Sequence, residues 1–87
     1  MALFMIERNF AQALNLTPED AKAVTTINGQ TGVKWLSSFL TADRRKTFCL
    51  YEAESAEAIR EAARRAGLPA DMIVELAGEL RPEDFRV

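Results

Sequence analysis

Between Gly32 and Ser55 the chain reads GVKWLSSFLTADRRKTFCLYEAES, two strand-like runs around a polar turn. The runs Val33–Thr41 and Lys46–Ala53 carry large apolar side chains at both odd and even positions. Side chains alternate faces along a strand, so Trp35, Ser37 and Phe39 are expected on one side and Leu36, Ser38 and Leu40 on the other. Thr47, Cys49 and Tyr51 likewise oppose Phe48, Leu50 and Glu52. A strand with apolar groups on both faces requires cover on both. Helix from the same chain supplies one cover. A chain of 87 residues has little left for the other, which predicts a second subunit.

The rest of the chain falls into elements around that hairpin. Ala2–Asn9 reads as a first strand, apolar on both faces until Glu7 and Arg8. Thr17 suits a helix N-cap, with Pro18 at the first helical position and Glu19 and Asp20 at the positive end of the dipole. Ala21, Val24 and Ile27 then form a narrow apolar stripe, and Asn28-Gly29 predicts the stop. Ser55 caps a second helix over Ala56–Ala66, buried through Ile59, Ala62, Ala63 and Ala66 and ended by Gly67. Asp71–Gly78 reads as a fourth strand. Residues 79–87 form a charged tail with Phe85 as its large apolar anchor.

This order, βαββαβ, predicts a single α+β domain of ferredoxin-like type over residues 1–87. Right-handed crossovers place both helices on one face of an antiparallel sheet, with the first and third strands central. Two helix-free faces packed together would make a dimeric α+β barrel.

Composition narrows the chemistry. There are 11 basic and 13 acidic residues, a net charge of −2, which lacks the basic footprint of a nucleic-acid binder. No apolar run approaches the roughly 20 residues that span a bilayer. Met1–Ile6 has no basic flank and reads as strand, not signal peptide. A single cysteine forms no intrachain disulfide, which makes a reducing cytoplasm the expected compartment. The chain has no histidine, so catalytic triads, Cys–His pairs and histidine metal sites are excluded.

Several segments together resemble a known family. They are Val33-Lys34-Trp35-Leu36-Ser37-Ser38-Phe39, Asp43, Phe48-Cys49-Leu50-Tyr51-Glu52-Ala53, Ile59-Arg60-Glu61 and Ala66-Gly67-Leu68-Pro69, with the opening strand ending Glu7-Arg8. The pattern is similar to that of small bacterial domains often named nickel-binding proteins. The resemblance implies a ferredoxin-like fold, a dimer with its sheets packed together, and nickel as a cofactor to test. Family members commonly carry histidines near positions 37–38 and 62, where this chain has Ser37, Ser38 and Ala62.

The candidate site residues are Glu7, Trp35, Ser37, Tyr51 and Glu52 for a small ligand, and Cys49 with Glu52 for a metal. Glu7 and Glu52 in one cavity would form a carboxylate pair able to serve as acid and base; otherwise each pairs with a nearby arginine. Cys49 is a thiolate ligand or a small buried apolar residue. Trp35 and Tyr51 line a pocket or fill the core. The favoured reading is a non-enzymatic homodimer that binds a small molecule or metal. The alternatives are a dimeric barrel enzyme, of isomerase or cofactor-free monooxygenase type, using Glu7, Tyr51 and Glu52, and a structural subunit.

Overall fold

A computed structural model describes residues 1–84; Phe85, the anchor expected in the tail, lies outside the described residues. The elements are β1 (Ala2–Asn9), α1 (Pro18–Thr31), β2 (Lys34–Leu40), β3 (Lys46–Ala53), α2 (Ala56–Ala66) and β4 (Met72–Leu76), followed by a 3-10 turn at Pro82–Asp84. The sheet order is β2-β3-β1-β4, with every neighbouring pair antiparallel. This is the expected ferredoxin-like sheet, with β1 and β3 central.

Local signals set the helices. Thr17 Oγ1 accepts from the Asp20 N–H, and Asp20 returns a bond to the Thr17 N–H, each at 3.1 Å, closing a capping box. The expected stop at Gly29 is wrong by one turn. α1 continues to Thr31, and Gly32 takes the left-handed cap with φ 73°. Val33 N–H then bonds back to the Asn28 carbonyl at 2.8 Å, which delivers Val33 into the core. α2 follows its expected limits, from the Ser55 cap to Gly67 at φ 67°.

Register divides the sheet into two unlike faces. Phe4, Ile6 and Arg8 on β1 pair with Tyr51, Cys49 and Thr47 on β3, and all six are buried beneath the helices. Ile59, Ala62 and Ala63 of α2 are buried on that side too, with Ile6 and Ile59 almost wholly enclosed. Alanines at the contact let the helix approach closely. The opposite face carries Leu3, Met5, Phe48, Leu50, Met72 and Val74, and no element among the described residues covers it.

Candidate functional site

The helix-side face contains a cavity of about 70 Å³. Thr47, Cys49 and Tyr51 of β3 and Arg8 of β1 form its floor. Trp35 and Ser38 wall it from β2, Val24 lines it from α1, and Phe10, Leu14 and Leu16 of the β1–α1 connector close over it. A shallower cavity of about 250 Å³ shares Leu14, Leu16, Val24 and Leu68 with the first and continues it along α1.

Trp35 reaches this cavity as expected, but Ser37 does not. The β2–β3 register slips between Trp35 and Ser37, leaving Leu36 as an extra residue in a β-bulge. Beyond the bulge the two faces exchange. Ser38 pairs with Cys49 on the cavity side, while Ser37 and Phe39 pair with Leu50 and Phe48 on the uncovered side. Trp35 Nε1–H donates to Ser38 Oγ at 2.9 Å, which fixes the indole over the cavity.

Arg8 was not among the candidate site residues, although it shares its strand parity with Phe4 and Ile6. It is 4% exposed, yet among the described residues it has no carboxylate partner. Nη1 donates to the Pro69 carbonyl, and Nη2 donates to the Tyr51 hydroxyl over a long 3.4 Å. The guanidinium carbon stands 5.7 Å from the centre of the Tyr51 ring. Burial pushes the Tyr51 hydroxyl above its ordinary pKa of 10.0; the charge and hydrogen bond of Arg8 oppose this more weakly. Tyr51 is therefore a neutral donor at physiological pH. Asn28, buried on α1, also bears on this hydroxyl, but its Nδ2 has no hydrogen-bond partner. The site is rich in donors and poor in acceptors.

The remaining candidates lie across the sheet. Glu7 pairs with Phe48 and Glu52 with Leu3, both on the uncovered face. The two are separated by four residues of strand, about 13 Å, so they form no carboxylate pair within a chain. Glu7 instead approaches Lys46 Nζ at 3.9 Å, the bland outcome with lysine in place of arginine. Since Tyr51 faces the helices, Glu7, Tyr51 and Glu52 are not assembled as acid–base groups within one chain. Cys49 and Glu52 also point to opposite faces, so they do not form a metal site together. The Cys49 thiol is buried and donates to Thr47 Oγ1 at 3.4 Å. No group of three or more Cys, Asp or Glu side chains is disposed to hold a metal ion among the described residues. With no imidazole in the sequence, these residues do not fit a nickel centre.

The polar hairpin turn also acts on the cavity. Asp43 Oδ1 accepts from the Thr41 hydroxyl and the Arg45 N–H, holding the turn with Arg44 at φ 62°. Arg44 Nε then donates to the Leu14 carbonyl at 3.1 Å, and Arg45 Nη2 donates to the Ala11 carbonyl at 2.9 Å. The two arginines tie down the connector that covers the cavity.

No helix among the described residues is long and apolar enough to cross a membrane. The crystal structure of SCO4226 from Streptomyces coelicolor A3(2) is similar over 91% of this chain and 100% of that chain, with a TM-score of 0.77. Sequence identity is 24%, so this likeness establishes the fold. No curated protein matches the chain. A family model described as nickel responsive protein SCO4226-like matches residues 4–76, a span taking in both helices, β2 to β4 and all but the start of β1. The chain belongs to the SCO4226-like family of nickel responsive proteins.

Proposed function

We propose that this protein is a homodimer that binds one small, largely apolar molecule per chain, between its sheet and its helices. The observation that carries the reading is the cavity of about 70 Å³ beneath the connector, bordered by Trp35 and floored by the buried Tyr51. A space this size exceeds a single water site and is lined mostly by carbon, which favours an apolar occupant over solvent. The larger groove along α1 leaves room for a ligand body longer than the inner cavity.

The uncovered sheet face supports the dimer. Phe39, Met72 and Val74 are 64%, 55% and 44% exposed in the isolated chain, beside Leu3, Met5 and Leu50. Contiguous apolar surface of this kind marks an interface. Lys34, Lys46, Glu7 and Glu52 bring both charge signs to the same face, which suits a self-complementary two-fold contact.

Nickel has no part in this reading, because the chain has no histidine and its described residues bring no cluster of carboxylates and thiols to the cavity. The test uses 1-hexanol as an apolar probe and the emission of Trp35, the sole tryptophan. Hexanol is expected to shift that emission saturably in the natural chain. Val24→Phe, which fills the cavity from α1, is expected to abolish the shift. An unchanged spectrum, or an equal shift in Val24→Phe, overturns the binding reading. Light scattering at micromolar concentration is expected to return the dimer mass; a monodisperse monomer overturns the dimer.

A further inference from the structure

The cavity contains a charge its surroundings do not neutralise. Burying a guanidinium without a counter-ion is unfavourable unless its donors are well met. Arg8 is nine-tenths buried, its bond to Tyr51 is long, and its other bond goes to a neutral carbonyl. Asn28 Nδ2, beside the same hydroxyl, is a second buried donor without an acceptor. Tyr51, Ser38 and Thr47 add hydroxyls, and no Asp or Glu among the described residues lines the cavity. The walls from Leu14, Leu16, Val24 and Leu68 are aliphatic. What is missing is one negatively charged acceptor attached to an apolar body.

We propose that the ligand is a small apolar monocarboxylate whose carboxylate pairs with Arg8 and whose hydrocarbon portion lies against Trp35, Val24 and Leu68. This rests on the cavity being the ligand site. A single guanidinium matches one carboxylate in charge and in its forked donor geometry. The 3.4 Å contact to Tyr51 is weak enough to be exchanged for a carboxylate oxygen, which leaves the Tyr51 hydroxyl free to donate to the second oxygen. A phosphate would bring more charge than one arginine balances, into walls that are mostly hydrocarbon. A neutral ligand would leave Arg8 as it is. Aliphatic length is accommodated along the groove shared with α1, so a straight chain of moderate length fits better than a branched polar acid.

The experiment titrates the full chain with sodium hexanoate, hexanamide and 1-hexanol, read by Trp35 emission and by calorimetry. Hexanoate is expected to bind at least about tenfold more tightly than hexanamide. Arg8→Met, checked for fold by circular dichroism, is expected to erase that preference while still taking up hexanol. Arg8→Lys, which keeps the charge but not the fork, is expected to fall between the two. Equal affinity for hexanoate and hexanamide overturns the carboxylate assignment and leaves the apolar cavity standing. A preference for hexanoate that survives in Arg8→Met also overturns it. Failure of all three probes overturns the carboxylate assignment together with the cavity reading beneath it.

Discussion

Arg8 Nη2 donates to the Tyr51 hydroxyl at 3.4 Å from the neighbouring strand, and both side chains are buried on the helix side of the sheet. The pair joins the central strands through a polar contact inside a mostly apolar layer. It has a pH consequence. Burial raises the Tyr51 pKa above 10.0, so the unfolded chain releases this proton first. The stabilisation is complete below the unfolded value and is lost as pH climbs through the folded one. Urea midpoints measured at about pH 8 and about pH 11 should therefore fall further for the natural chain than for Tyr51→Phe. An equal fall in both would show that the Tyr51 proton is not linked to folding.

The two glycines near the end of α1 should behave oppositely. Gly29 lies inside the helix, and a Cβ there meets nothing within 4 Å. Gly29→Ala should stabilise by about 0.5–1 kcal/mol, through helix propensity and a less flexible unfolded chain. Gly32 holds φ 73°, and Gly32→Ala should destabilise by about 1 kcal/mol or more. Chemical denaturation of the two variants measures both signs, and the reverse order would move the helix cap to Gly29.

Position in the sheet should decide whether a lost apolar group affects folding or assembly. Ile6 is fully enclosed, and Ile6→Ala should cost about 2–5 kcal/mol, a large part of a small domain's stability. Phe39 is 64% exposed on the face proposed for the dimer. Phe39→Lys should leave the far-UV spectrum unchanged and shift the mass toward monomer. Scattering and circular dichroism on the two proteins separate these effects; a Phe39→Lys chain that remains a full dimer would remove Phe39 from the interface.

On the solvent side of α2, hydrogen bonds from Arg64 and then Arg65 hold the Glu61 carboxyl at about 2, below its ordinary 4.5. Its contribution is present above 4.5 and is lost as pH falls toward about 2. Wild type should exceed Glu61→Gln in urea midpoint by a small margin near neutrality, since all three side chains are in water. The two curves should converge on acidification. A gap that persists at the acid end would have another cause.

The sequence made much of the fold legible because β1, β3 and α2 carry their own punctuation. Ser55 and Gly67 bracket α2, and the charged turn at Asp43–Arg45 separates β2 from β3. The site was less legible for three physical reasons. Glu7 and Arg8 together mark only the end of the apolar run in β1, but parity turns Arg8 inward, where the long side chain reaches the Pro69 carbonyl. Gly29 and Gly32 are three residues apart, and the need to seat Val33 in the core selects the later one. The slip at Leu36 has no compositional mark, so strict alternation assigned Ser37 to the face that Ser38 occupies.

That slip also governs how this chain should be compared with its relatives. A relative lacking the extra residue would present a different set of side chains to the ligand if written beneath this sequence column for column. Its counterpart of Ser38 would stand under Ser37, and a hydroxyl would look like a change of chemistry when it is only a change of count. Deleting Leu36 from this chain would remove the bulge and leave the faces as they are, with Trp35 and Ser38 on the cavity side and Ser37 and Phe39 opposite. One residue more or less at this point changes which columns correspond without changing which side chains meet the cavity.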